Sequence, residues 1–140
     1  MTTRTLAGGR RRGATVLELA FTCPVTILLL VGILDTGLAL HSNNALAEAS
    51  REGARFAAVH GSKSGTPFGP SANDASLEQA VRKSAIGLNP ESLQVSSTWP
   101  DSNNNPNSRV TVQLTYTYRP VGLLGAPYVI RNSSTMIIYH

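Results

Sequence analysis

The chain has 140 residues, which is one domain's worth of sequence, and carries 12 Lys+Arg against 8 Asp+Glu for a formal net charge of +4. Only 14% of residues are charged, which argues against a highly charged disordered chain or a nucleic-acid-binding arm. The single cysteine, Cys23, excludes an intramolecular disulfide framework and a cysteine-based zinc cluster.

The excess charge is local. Arg4, Arg10, Arg11 and Arg12 supply it within the first thirteen residues, and the rest of the chain is formally neutral. Residues 1–13 therefore read as a basic leader. An apolar run begins at Ala14 and extends to Leu40 with only Glu18 and Asp35 charged. As a helix it is roughly 40 Å long, enough to cross a hydrocarbon core of about 30 Å. Arginines before such a span keep the N-terminus cytoplasmic and send the remainder across. Pro24 lies inside the run and is expected to kink the helix without ending it.

Several routes compete for this segment. A secretory signal would be cut near Ala45-Leu46-Ala47, but signal cores run about 7–15 apolar residues and this one is longer. Gly37-Leu38-Ala39 is better placed but follows Asp35. The twin-arginine route fits less well, because Arg11-Arg12 is followed by Gly13-Ala14-Thr15. A plain uncleaved anchor leaves Glu18 unexplained, since a carboxylate within lipid is costly and wants a partner.

The helix is expected to continue beyond the span, as an extension over 41–60. Glu48–Arg51 and Glu52–Arg55 form i,i+3 pairs with the acid first, as exposed helices favour. Leu46, Ala49, Gly53 and Ala57 share a face, which either packs on its own domain or is a small-residue stripe for helices of neighbouring subunits. Residues 61–71 are a Gly/Ser/Pro loop without the Gly-Lys-Ser order of a phosphate loop. A short helix is predicted near 74–88, with Leu77, Val81 and Leu88 on one face and Ser76 and Gln79 at capping-box spacing.

Residues 93–99 read as a strand, 100–108 as a polar turn, and 109–119 as a strand in which Val110, Val112, Leu114, Tyr116 and Tyr118 alternate with polar neighbours. One apolar and one threonine-rich face imply an antiparallel sheet wet on one side. Residues 121–128 are an apolar loop, expected to tuck into the core in preference to serving as a contact surface, and 135–139 is the last strand. The fold class is α+β: a long N-terminal membrane helix leading into a small domain with a short helix and an antiparallel sheet. The domains are expected to be a leader (1–13), a transmembrane helix (14–40), a helix extension (41–60) and a periplasmic or extracellular α+β domain (61–140).

Arg12-Gly13-Ala14-Thr15-Val16-Leu17-Glu18 resembles the prepilin processing signature, in which a membrane peptidase cuts after a glycine that ends a basic leader. More broadly, Glu18, Pro24, Asp35 and Gly37, in that order, are similar to the N-terminal segment of TadE/TadG-like minor pilins (pseudopilins) of the tight-adherence, or Flp, type IV pilus system. Arg51-Glu52-Gly53-Ala54-Arg55 resembles a block that follows the membrane helix in that family, and Ser133-Ser134-Thr135-Met136 its closing strand. The family often has an aromatic after the glutamate, where this chain has Leu19. Val16-Leu17-Glu18-Leu19 is also similar to pseudopilins of type II secretion, which lack the Arg-Glu-Gly-Ala-Arg block.

The resemblance implies a bacterial inner-membrane protein with a cytoplasmic N-terminus, cut between Gly13 and Ala14 after the leader charges Arg10, Arg11 and Arg12. Glu18 would serve assembly. The partners implied are a prepilin peptidase, other pilin or pseudopilin subunits, an assembly platform and the lipid bilayer, with no nucleic acid and no cofactor. The implied role is structural, in or priming a pilus or related secretion filament. The alternative is an uncleaved membrane-anchored periplasmic binding or scaffold domain. Enzyme chemistry finds little support. Asp35-Thr36-Gly37 has the aspartic-protease triplet, but it ends a run too long for a strand, and such a protease needs two carboxylates sharing a proton. His41, His60 and His140 lack helical i,i+4 partners, so no metal site is expected.

Overall fold

A computed structural model describes residues 9–70, 75–122 and 125–139, with side chains from Gly13 onward. The elements in order are α1 (Gly9–Val59), α2 (Ala75–Ser84), a single 3-10 turn (Pro90–Ser92), and strands β1 (Leu93–Thr98), β2 (Arg109–Tyr118) and β3 (Tyr128–Ile137). The chain divides into two units, Met1–Gly37 and Leu38–His140.

Within the first unit, residues 13–37 form one uninterrupted stretch of α1, which passes through Pro24. Proline removes the amide that would serve the Ala20 carbonyl, a loss membrane helices tolerate. Large apolar side chains cover this stretch on every side and none is buried: Val16, Phe21, Leu29 and Leu34 are exposed. By length and composition α1 qualifies as a membrane-crossing helix. A helix that is apolar all round needs a non-aqueous environment.

The second unit is built on the last turns of α1. Leu46, Ala49, Ala54, Ala57 and Ala58 are buried in one core with Leu77 and Val81 of α2, Leu93 of β1, Val110, Val112 and Leu114 of β2, and Ile138. The three-stranded antiparallel sheet has the order β1-β2-β3. Its registers, such as Val95 opposite Leu114 and Leu114 opposite Asn132, put the alternating apolar residues of β2 on one side. The other face carries Thr111, Gln113, Thr115 and Thr117, as the period of two predicts. The fold class matches the sequence reading.

Of the two readings of the face formed by Leu46, Ala49, Gly53 and Ala57, packing on its own domain is the one observed, so it is no free stripe for neighbouring helices. Four other details differ from the sequence reading. The short helix stops at Ser84, with Gly87 at φ +83° in the turn that follows. Ser76 lies inside the helix, so it does not cap it; Asp74 falls outside the described residues. The apolar loop is not a core plug: Val121 is 79% exposed and residues 125–128 are exposed, while Leu123 and Leu124 fall outside the described residues. The last strand begins at Tyr128, seven residues before the expected 135. Its central Arg131-Asn132-Ser133-Ser134 looks like loop by composition, but pairing with β2 supplies the backbone partners that hold it extended.

Candidate processing and assembly segment

Gly13 lies within α1 with its Cα facing open space, and a Cβ there would meet nothing within 4 Å. Packing therefore places no demand on glycine at this position. The side chains of Arg10, Arg11 and Arg12 fall outside the described set, although their backbone is helical. Ala14 and Glu18 are one helical turn apart on the same face, about 6 Å along the axis. Glu18 is exposed, and its backbone carbonyl accepts the Thr22 hydroxyl at 2.6 Å.

At 100° per residue, the threonines of the span fall on the Glu18 side of the helix: Thr15, Thr22, Thr26 and Thr36. Thr26 donates to the Thr22 carbonyl at 2.9 Å and Thr36 to the Gly32 carbonyl at 2.8 Å. Such back-bonding gives each of these hydroxyl protons a partner inside the helix, which suits a lipid environment. The far side carries Val16, Ala20, Ile27, Val31, Leu34 and Leu38. Asp35-Thr36-Gly37 is helical throughout. Cys23 is a free, exposed thiol on the same helix.

The block at 51–55 is divided by helix geometry. Arg51 and Arg55 point outward and pair with Glu48 and Glu52 at 3.7 and 3.8 Å. Exposed pairs of this kind contribute about 0–1 kcal/mol each. Gly53 and Ala54 point inward. A Cβ on Gly53 would lie 2.7 Å from Val81 Cγ2, 3.2 Å from Val112 Cγ1 and 3.7 Å from Leu77 Cδ1. Here glycine is required, because α1 meets both α2 and β2 at that point.

Residues 13–55 match the family model TadE, described as TadE-like protein. The chain carries a TadE-like segment. This region begins at Gly13 and ends at Arg55, so it spans the exposed half of α1 and the Arg-Glu-Gly-Ala-Arg block, and leaves the sheet outside it. Residues 13–55 are thus similar to a structural, pilus-related family. No curated protein and no solved structure matches the chain.

Sequence reading missed the ties that hold the sheet domain's turn. Asp101 accepts the Arg109 backbone amide at 2.8 Å and pairs with the Arg109 guanidinium at 2.9 Å, closing the loop between β1 and β2. The Arg109 hydrogen bonds hold the Asp101 carboxyl below its ordinary pKa. Trp99 packs on Phe68 with ring centroids 5.7 Å apart. The Ser50 hydroxyl donates to the Ala47 carbonyl at 2.8 Å and reaches the Asn132 side chain at 3.3 Å. Separations of 8, 31 and 82 residues carry no periodic signal. Among the described residues no group of His, Cys, Asp and Glu is arranged to hold a metal ion; His140 falls outside them.

Proposed function

We propose that this protein is a minor pilin or pseudopilin of the Tad/Flp type, cut by a prepilin peptidase between Gly13 and Ala14 and then incorporated in, or priming, a pilus or related secretion filament. The observation that carries the reading is the TadE-like match starting at Gly13, a glycine for which packing gives no reason. Arg10, Arg11 and Arg12 hold the leader on the cytoplasmic side and the sheet domain is delivered to the periplasm. Cleavage removes the four leader arginines, leaving a formally neutral chain and an α-ammonium one turn from Glu18.

That ammonium gives the Glu18 carboxylate a partner within lipid, from its own chain or from a neighbouring subunit. Removing one member of a buried pair costs roughly 3–5 kcal/mol. Replacing Glu18 by Ala therefore leaves cleavage intact and impairs assembly. A role for Arg51 and Arg55 in contacting the assembly platform belongs to the same reading, since both are exposed. A signal-peptidase cut after Ala47 is disfavoured, because it would delete the core residue Leu46 from the domain it releases.

The test is the intact mass and N-terminal sequence of the protein recovered from membranes, with Gly13→Leu as the paired variant. The expected chain starts at Ala14, and Gly13→Leu retains its leader. A start at Met1 or Thr2 in the native chain would leave an uncleaved anchor, and a start near Glu48 would mean a secreted domain.

A further inference from the structure

β3 is one edge of the sheet, and among the described residues no other strand pairs with its outer side. An open edge is a template for a further strand, and proteins usually blunt it by shortness, proline, charge or a bulge. β1, at the other edge, is six residues long, whereas β3 is ten. β3 contains no proline and a single charge, Arg131. Its register with β2 runs unbroken from Arg109 opposite Ile137 to Tyr118 opposite Tyr128, so no bulge interrupts it. Val129 and Ile137 lie on the threonine-bearing face, 50% and 53% exposed.

The strand is self-complementary about Ser133. Counting outward in both directions pairs Asn132 with Ser134, Arg131 with Thr135, Ile130 with Met136, and Val129 with Ile137. Two β3 strands laid antiparallel around a twofold axis at Ser133 set each residue against its mirror position. Apolar then faces apolar and polar faces polar on both faces of the merged sheet. The two Arg131 side chains stand four residues apart along the strands, roughly 13 Å, so like charges are not opposed. A twofold at Arg131 instead would set them face to face.

We propose that β3 is a homodimerisation edge: two copies of this chain join by antiparallel β3–β3 pairing about Ser133 into one six-stranded sheet. The pairing satisfies the outer backbone groups of both strands and covers Val129 with the partner's Ile137. It requires no cleavage at Gly13, so it stands or falls apart from the pilin reading.

The test uses the full chain in its membrane with Cys23→Ala, which removes the native thiol. Ser133→Cys then places two thiols across the twofold. Opposed Cα atoms in antiparallel strands are about 4.5–5.5 Å apart, within disulfide reach. Mild copper-phenanthroline oxidation should give a disulfide dimer from Ser133→Cys and none from Gln94→Cys, exposed on β1. Val129→Lys with Ile137→Lys opposes lysines at both ends of the pairing and should lower the cross-linked yield roughly tenfold. Val129→Lys with Ile137→Glu should restore it. Trp99 emission verifies that each variant folds. Failure to cross-link at 133, equal cross-linking from Gln94→Cys, indistinguishable yields from the two charge variants, or a 133 adduct to a different protein would each overturn the proposal.

Discussion

The two halves of α1 share one backbone and obey different rules. From residue 16 to 40 the helix carries Val, Leu, Ile and Phe on all sides, and none of them is buried. From residue 42 to 58 the buried positions are mostly Ala, Ser and Gly on one face, and Leu46, Ala49, Ala54 and Ala57 have no accessible surface. The glycines show the contrast most sharply. Gly13, Gly32 and Gly37 have nothing within 4 Å of an added Cβ, while Gly53 would collide with Val81. Hydrophobicity alone therefore does not mark a core. Bulk all round a helix marks a segment meant for lipid, and small residues on one face mark close packing against another element.

Substitutions in matched positions can break that comparison. Leu46→Ala should destabilise the sheet domain by about 2–5 kcal/mol, whereas Leu34→Ala should leave its unfolding unchanged; thermal melts in micelles followed by Trp99 emission compare the two. Equal effects would erase the distinction. Gly53→Ala gains helix propensity but overpacks Val81, for a net loss of about 1–2 kcal/mol. Adding Val81→Ala should make Gly53→Ala less harmful than it is in the native background, and additive losses would show that the contact at Gly53 does not limit packing. Gly32→Ala, in the exposed half, should leave the melt unchanged.

Smaller effects sharpen the picture within the sheet domain. The folded-state pKa of Asp101 lies below its ordinary value, so its pairing with Arg109 stabilises above the unfolded-state pKa of about 3.9. That contribution fades as pH falls through the folded-state value. Asp101→Asn should lower the melting temperature near neutral pH and flatten its fall below about pH 4. Melting curves from pH 3 to 7 check this, and an unchanged slope would remove Asp101 from the acid response. The smallest change belongs to Arg51→Ala, which loses an exposed pair with Glu48 and should cost less than about 1 kcal/mol. A strong defect in filament assembly with an unchanged melt would then mark Arg51 as a contact residue.

Much of this molecule was legible in one dimension because its signals are local. The charge step at Gly13, the apolar run with Glu18 and Pro24, the i,i+3 pairs at 48–55 and the alternation from Val110 to Tyr118 each arise from neighbours a few residues apart. Helix pitch and strand pleat turn such spacings directly into faces. The rest depended on partners far away in the chain. Only the fold decided that Leu46, Ala49, Gly53 and Ala57 close a core, because Leu77, Val81 and Val112 arrive there from other elements. Only pairing with β2 made a strand of the polar residues 131–134, and only the loop's closure brought Asp101 to Arg109. Local spacing determined most of the elements and which end is long and apolar enough to cross a membrane; long-range packing extended β3 through its polar centre, decided which faces are buried and left β3 as an open edge.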